Sequence, residues 1–99
     1  LKNKIHNTKS GILKFNDFVI NLNTKEVYKN RIPLKLTAAE KELLFFLLKN
    51  KNRFVSKELI INSCESIDSI DSVKVIISSL RKKDFEIENQ KNLGYKIKE

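Results

Sequence analysis

An uninterrupted apolar run at residues 43–48 stands in the middle of a chain that is otherwise rich in charge. Thr37 and Glu40 precede the run with the spacing of a capping box, in which the two side chains satisfy exposed backbone N–H groups. Four leucines of the run share one face at helical spacing: Leu43, Leu44, Leu47 and Leu48. The pattern predicts a central amphipathic helix that begins after Thr37 and packs its leucines into a core.

Short segments with strand character precede this helix, at residues 12–15, 18–22, 26–29 and 31–35. Turn-compatible residues separate them at 16–17, 23–25 and 29–30. We expect a four-stranded antiparallel meander that is apolar on one face and polar on the other. Residues 1–10 are polar and show no periodicity, so we expect them to form a linker or arm before a domain at residues 11–99.

Two further helices are predicted after the central one. Ser56 is a candidate cap for a helix that carries Leu59, Ile60 and Ile61 and fades near Cys64. After a polar loop at residues 65–69, a third helix is expected from about residue 70 to residue 83. Its apolar spacing predicts a core stripe, formed by Ile70, Val73, Ile77 and Leu80. A second set of side chains faces roughly the other way: Ser72, Val75, Ile76, Ser79 and Lys83.

The C-terminal segment predicts a hairpin with strands at residues 85–90 and 95–98. Gly94 ends the intervening turn, where a positive φ favours glycine. The fold class is therefore α+β. We predict a winged helix-turn-helix with an N-terminal four-stranded antiparallel sheet, three helices and a C-terminal β-hairpin wing.

The chain has a formal net charge of +8, which favours a polyanionic partner. The excess lies mostly in the N-terminal third, where residues 1–35 carry eight basic and two acidic side chains. Residues 71–99 carry seven basic side chains against five acidic ones.

Enzyme chemistry finds little support in this sequence. Two glycines supply no phosphate-binding loop, there is no serine elbow, and His6 has no second histidine or nearby cysteine to complete a metal site. We expect no catalytic residue, no cofactor and no metal. The lone Cys64, the polar and lysine-rich residues 1–10 and the shortness of the apolar run lead us to expect a cytoplasmic protein without a membrane partner.

Four segments resemble one known family. Residues 36–44 are similar to the L-T-x-x-E-x-x-L-L opening of the first helix in the OmpR/PhoB family of response-regulator effector domains. Residues 53–59 resemble that family's R-V-V-S-R-E-x-L, and residues 73–83 resemble its V-D-V-H-I-x-x-L-R-x-K recognition helix. Gly94-Tyr95 matches the G-Y that begins its last strand. The resemblance covers residues 12–98 with the motifs in order.

The resemblance implies a sequence-specific, DNA-binding transcriptional regulator that is the effector domain of a bacterial two-component response regulator. The third helix would enter the major groove and the hairpin would touch the neighbouring minor groove. The implied partners are double-stranded DNA, a histidine kinase acting through a receiver domain, RNA polymerase, and a second copy bound to tandem half-sites.

Site residues carry over from the family by position. Lys57, Arg81 and Tyr95 correspond to phosphate contacts, and Lys91 stands at the place of the wing's arginine. The remaining predicted DNA-binding residues lie on the third helix: Ser72, Lys74, Val75, Ile76, Ser79 and Lys82.

The chain departs from the family at several positions. Asp71 and Ser79 stand where arginines are frequent, and Ile76 replaces the usual histidine. A face of valine, isoleucine and serine suits thymine methyl groups better than guanine, so we predict a preference for A·T pairs, read partly through DNA shape.

The loop before the third helix also departs from the family. Glu65 replaces the usual tryptophan, and the loop at residues 65–69 is about three residues shorter than the family's polymerase-contacting loop. Activation through that contact is therefore in doubt, and repression is more plausible. The alternative function is a winged-helix protein–protein interaction module with reduced DNA binding.

Overall fold

The computed structural model describes residues 11–98, so the predicted arm at residues 1–10 lies outside the described residues. The strands are β1 Ile12–Phe15, β2 Phe18–Asn21, β3 Glu26–Lys29, β4 Ile32–Leu34, β5 Ile87–Gln90 and β6 Gly94–Ile97. The helices are α1 Ala38–Lys49, α2 Lys57–Ser63 and α3 Ile70–Lys82. Two compact units meet in sequence between Lys35 and Leu36, and each is described by itself.

The first unit is an antiparallel sheet with strand order β1-β2-β3-β4, as predicted. Alternate side chains point to a buried face, and the buried members are Phe15, Phe18, Ile20 and Val27.

Two strands of this sheet are shorter than predicted, because turns take their end residues. The backbone N–H groups of Asn23 and Thr24 donate to Asn21 Oδ1 at 2.9 and 3.1 Å, which places Leu22 in a turn. Asn30 and Arg31 have φ values of 51° and 70°. Positive φ at both central residues is what a two-residue hairpin turn requires, so β4 begins at Ile32.

Helix α1 opens the second unit with the predicted capping box. The backbone N–H of Glu40 donates to Thr37 Oγ1 at 3.2 Å, and the Thr37 N–H donates to Glu40 Oε1 at 2.8 Å. The four predicted leucines are buried. The helix ends at Asn50, whose side-chain amide donates to the Phe46 carbonyl at 2.9 Å.

Serine side chains cap both remaining helices, with Ser56 before α2 and Ser69 before α3. Two apolar side chains of these helices are exposed, and one of them, Ile70, was predicted to lie in the core. Leu59 is 45% exposed, because Ile60 alone holds the buried position of the short α2. Ile70 is 39% exposed, because it is the first residue of α3 and the buried stripe starts one turn later, at Val73.

The second unit gathers its remaining buried side chains from α3, the hairpin and the segments between helices: Val55, Cys64, Ile67, Val73, Ile77, Leu80, Phe85, Ile87, Tyr95 and Ile97. Within the described part of the chain, no helix is both long enough and apolar enough to cross a membrane.

The hairpin of β5 and β6 is joined to the segment before α2 by a bridge between Val55 and Tyr95 and by the Asn52 N–H, which donates to the Ile97 carbonyl at 3.0 Å. The N–H groups of Val55 and Tyr95 each donate to the other residue's carbonyl at 2.8 Å. Gly94 has a φ of +108°, which confirms the predicted positive φ. A Cβ atom there would lie 1.9 Å from the Val55 carbonyl oxygen, so this position also needs glycine for the close approach of the two chain segments.

Candidate nucleic-acid interface

Helix α3 presents an exposed strip along its length. Lys74, Ser78 and Lys82 follow one another at intervals of four residues and are all exposed. Val75 lies beside them and is 68% exposed. Asp71, also exposed, extends the strip toward the start of the helix. The strip therefore offers two ammonium groups, a hydroxyl and an apolar side chain to a partner.

This strip differs from the predicted set by about one residue of helical rotation. Val75, Lys74 and Lys82 belong to it, whereas Ser72 and Ile76 are half-buried at its margin. The Ser72 hydroxyl is hydrogen-bonded to the Ser69 hydroxyl at 3.0 Å, within the cap of the helix.

The Ser79 hydroxyl is hydrogen-bonded within the protein. It donates to Glu40 Oε2 and accepts a hydrogen bond from Lys83 Nζ at 3.2 Å. Lys83 also forms an ion pair with the same Glu40 oxygen at 3.2 Å. A carboxylate of α1 therefore engages the Ser79 hydroxyl, and the groove-facing role of Ser79 stays a prediction.

Glu40 is the centre of this polar cluster and is only 6% exposed. Burial raises the pKa of its carboxyl, but hydrogen bonds from Ser79, the Thr37 backbone and Lys83, together with the Lys83 charge, outweigh burial and lower the pKa overall. The carboxylate form is therefore favoured. One side chain thus caps α1 and ties α1 to α3.

Arg81 has an intramolecular partner as well. Its Nε and Nη2 atoms donate to the Ile87 carbonyl oxygen at 3.0 and 2.8 Å, which joins the end of α3 to β5. Only the remaining N–H groups of the guanidinium are available for the predicted phosphate contact of Arg81.

A groove runs between the start of α2, the middle of α3 and the hairpin turn. Lys57, Lys74 and Lys91 line it, together with Ser56, Glu58 and residues 89–95. The structure thus brings together three lysines from three separate segments, an arrangement in which one anionic ligand could contact all three. Tyr95 lines the groove but is only 3% exposed, so little of its surface is accessible for the predicted phosphate contact.

The positive charges of the second unit fall into two groups. Lys96 Nζ forms an ion pair with Glu88 Oε1 at 3.6 Å and lies 4.6 Å from the centroid of the Phe54 ring. Among residues 11–98, no ion pair involves Lys74, Lys82 or Lys91. These lysines can therefore interact with an anionic ligand without first breaking an ion pair. Most of the excess positive charge of the sequence nevertheless lies elsewhere, in residues 1–35.

The loop between α2 and α3 is held from α1. Glu42 accepts hydrogen bonds from the backbone N–H groups of Glu65 at 3.3 Å and Ser66 at 2.8 Å. Cys64 is buried, and burial together with the negative charge of Glu42 raises the pKa of its thiol. Its thiolate is disfavoured, so it is a structural residue. Within residues 11–98, no cluster of His, Cys, Asp and Glu has the makings of a metal site.

Sequence reasoning missed Ser78 and the second role of Glu40. At about 100° per residue, the side of α3 opposite the stripe Val73, Ile77 and Leu80 is centred between Lys82 and Val75. Ser78 and Ser79 lie at similar angles on either side of that centre, so periodicity alone does not choose between them. Nothing in the local sequence connects Glu40 to Ser79, which is 39 residues away.

The model of the family "Transcriptional regulatory protein, C terminal" matches residues 31–97. The chain belongs to this family, which is one of transcriptional regulatory domains rather than of enzymes. The transcriptional regulatory protein YkoG of Bacillus subtilis, itself uncharacterized, is 32% identical over 95 residues. The aligned part is 87% of this chain and 42% of YkoG, so the chain spans less than half of that relative.

Solved structures agree with the fold. The response regulator DrrB of Thermotoga maritima, an OmpR/PhoB homologue, matches with a TM-score of 0.79 and 25% identity over 90% of this chain and 45% of DrrB. The DNA-binding domain of RstA from Klebsiella pneumoniae, solved in complex with the RstA box, matches with a TM-score of 0.77 over 88% of this chain and 96% of that domain. At 21% identity, the RstA likeness shows the fold alone. The chain is a winged-helix effector domain of the OmpR/PhoB type, as its sequence predicted.

Proposed function

We propose that this domain binds double-stranded DNA, with α3 in the major groove and the β5–β6 hairpin at the neighbouring minor groove. The observation that carries the proposal is the exposed strip of Lys74, Val75, Ser78 and Lys82 beside a groove lined by Lys57 and Lys91. A helix of this kind fits the width of the major groove of B-form DNA. The RstA domain, which has the same fold, was solved in complex with the RstA box.

Electrostatics supports a phosphate backbone as the ligand of the groove. Lys57, Lys74 and Lys91 come from α2, α3 and the hairpin turn, so one bound strand can meet all three at once. Lysines without ion-pair partners release counterions from DNA when they bind, which makes the affinity depend steeply on salt. Asp71 opposes this attraction at the start of α3, where a carboxylate would face phosphate.

The exposed strip favours A·T-containing sites. Val75 offers an apolar surface to the thymine methyl group, and the strip holds no arginine that could bind guanine through two hydrogen bonds. Lys74 and Lys82 supply charge on either side of Val75 and Ser78. We therefore propose a site rich in A·T pairs under α3, read in part through the shape of the minor groove.

Selection of bound duplexes from a random pool tests the proposal, followed by titration of the selected duplex at several salt concentrations. We expect an A·T-rich consensus under α3 and an affinity that falls steeply with salt. Lys82→Ala should reduce the slope of log affinity against log salt by about 1. Lys49→Ala, which removes the same charge from an exposed position in the last turn of α1, outside the strip and the groove, is the matched control and should leave the slope unchanged. A G·C-rich consensus under α3 would contradict the base preference.

The regulatory setting is part of the proposal. In a longer protein, a receiver domain phosphorylated by a histidine kinase would promote a homodimer on tandem half-sites, in the cytoplasm where bacterial DNA lies. The short loop at residues 65–69, which holds Glu65 and Asp68, argues for repression or an altered contact with RNA polymerase. If the domain binds no duplex at low salt, even within the full-length protein, the protein–protein interaction module is the better description.

A further inference from the structure

Two adjacent serines of α3 have different surroundings. Ser78 is exposed on the strip, whereas Ser79 is half-buried; it borders the same shallow depression, but its hydroxyl is bonded to Glu40. We propose that Ser78, and not Ser79, is the hydroxyl of α3 that reads base edges, and that Glu40 is the positioning residue that holds the Ser79 hydroxyl within the protein. The inference rests on the proposed DNA-binding function and names the side chains that set its specificity.

The helix geometry separates the two hydroxyls. Successive residues of an α-helix are rotated by about 100°, so the Ser78 and Ser79 side chains leave the helix in different directions. Ser78 lies between Lys74 and Lys82 at four-residue intervals, and Val75 is its neighbour three residues earlier. Residues three and four apart share a helical face. A duplex that meets the two lysines therefore meets Ser78 as well.

The hydrogen-bond capacity of Ser79 is largely used within the protein. A serine hydroxyl has one hydrogen to donate, and that of Ser79 goes to Glu40 Oε2. Lys83 Nζ donates to the Ser79 oxygen at 3.2 Å. Hydrogen bonds to a carboxylate are stronger than those between neutral groups, so turning Ser79 toward a base would exchange a stronger bond for a weaker one.

Glu40 itself is held in place on both oxygens. Oε1 accepts from the Thr37 backbone at 2.8 Å, and Oε2 accepts from Ser79 and from Lys83 at 3.2 Å. A buried carboxylate with this number of donors has little freedom to release one of them. The capping box of α1 therefore fixes which serine of α3 remains available to DNA.

The chemistry of the strip indicates the kind of base step it would recognise. The Val75 side chain suits a thymine methyl group, and the Ser78 hydroxyl can donate to an acceptor such as thymine O4 or purine N7. Because Val75 and Ser78 lie within one turn, the two contacts would fall on the same or neighbouring base pairs. The ligand is a thymine-containing step with an acceptor beside the methyl group.

The test compares Ser78→Ala with Ser79→Ala on duplexes selected by the wild-type domain. Each variant is titrated with the selected duplex and with duplexes changed at single positions under α3. We expect Ser78→Ala to lose about three- to tenfold in discrimination at one position, the range expected for one hydrogen bond. Ser79→Ala should change discrimination by less than about twofold while lowering the midpoint of thermal unfolding, since it removes a bond inside the protein.

A second variant covers the case in which Ser79→Ala fails to fold. Glu40→Gln keeps one acceptor oxygen, which serves Ser79 when the amide nitrogen faces the Thr37 backbone, and it should leave the base preference of the wild type unchanged. Loss of discrimination in Ser79→Ala or Glu40→Gln, with Ser78→Ala unaffected, would overturn the assignment. If the wild-type domain binds no duplex at low salt, the proposed function has failed; if it binds and selects a sequence but Ser78→Ala discriminates normally, only this inference has failed.

Discussion

The polar residues of α3 fall into two sets that differ in what they contact. Lys74, Ser78 and Lys82 are exposed and lie in a strip with Val75. Other polar side chains are bound within the domain: Ser79 and Lys83 to Glu40, and Arg81 to the Ile87 carbonyl. A recognition helix therefore holds two sets of polar residues, one that faces a ligand and one that orients the helix.

Substitutions in the two sets of residues should affect different properties, DNA affinity for the exposed set and folding stability for the bound set. Removing a residue of the exposed strip leaves no buried partner unsatisfied, so the cost in stability should be small. Removing a bound residue leaves a donor or acceptor without its partner, which costs more than the net value of the bond. Variants of the exposed set should thus change mainly the DNA affinity, and variants of the bound set mainly the free energy of unfolding.

The largest effect is expected where the hairpin meets the segment before α2. Gly94→Ala would place a Cβ 1.9 Å from the Val55 carbonyl oxygen, at a φ of +108° that side chains rarely adopt. Backbone strain and overpacking together should lower the free energy of unfolding by roughly 3 kcal/mol or more. Urea denaturation measures the loss, and a lower DNA affinity should follow from the displaced hairpin.

Asn92→Gly is the matched control for Gly94→Ala. Asn92 lies in the same turn with a φ of 71°, where glycine is also comfortable. This variant should change the free energy of unfolding by less than about 1 kcal/mol. Equal losses in the two variants would show that the turn, and not the approach to Val55, limits stability.

The next effect concerns the cluster that holds the inward side of α3. Glu40→Ala removes the acceptor of Thr37, Ser79 and Lys83 and should lower the free energy of unfolding by about 2–3 kcal/mol at neutral pH. Because the pKa of Glu40 is lowered in the folded state, its ionisation stabilises the fold above the pKa of the unfolded chain. That contribution is lost as the pH falls through the folded pKa.

The pH dependence distinguishes this carboxylate from a merely space-filling residue. The free energies of unfolding of wild type and Glu40→Ala, measured by urea titration, should therefore converge as the pH is lowered from 7 through the range in which carboxyl groups titrate. Glu40→Gln, which is nearly isosteric and does not ionise, should show the same convergence with a smaller gap at pH 7. A gap that stays constant with pH would refute the role of the charge.

The sequence predicted the order of elements because each element has a local signal. The capping box of Thr37 and Glu40, the alternating strands and the glycine at residue 94 act over a few residues, and the structure has each of them in place. The strand ends were missed where turn geometry depends on hydrogen bonds, as at Asn21.

The candidate site was less predictable because it depends on contacts between distant segments. Ser78 and Ser79 have the same chemistry, and the one that lies within reach of Glu40 on α1 is bound inside the protein. Arg81 and Lys82 are likewise adjacent and basic, yet the carbonyl of Ile87 selects one of them for a structural bond. Periodicity gives the direction of a side chain within an error of about one residue, which is the distance that separates the two sets.

Arg81→Ala and Lys82→Ala form a matched pair across that boundary. Arg81→Ala removes the bonds to the Ile87 carbonyl and should cost about 1.5–3 kcal/mol of unfolding free energy, the range for hydrogen bonds to charged groups. Lys82→Ala should cost less than about 0.5 kcal/mol, as surface substitutions do, while reducing DNA affinity. Chemical denaturation and binding titrations, run on both variants, check the pair. An Arg81→Ala domain of undiminished stability would remove Arg81 from the architectural set.

The smallest predicted effect lies on the exposed strip, at Val75, which is 68% exposed in the domain alone. If Val75 covers a thymine methyl group, replacing that thymine by deoxyuridine removes one buried carbon from the complex. At about 0.8 kcal/mol per buried CH₂ group, the wild-type domain should bind the deoxyuridine duplex about three- to fourfold more weakly. Val75→Ser lacks the apolar contact and should bind both duplexes with nearly equal affinity. Because the change is made in the DNA, neither protein's stability enters the comparison. A penalty of the same size in Val75→Ser would place the methyl group against another side chain and reassign this part of the strip.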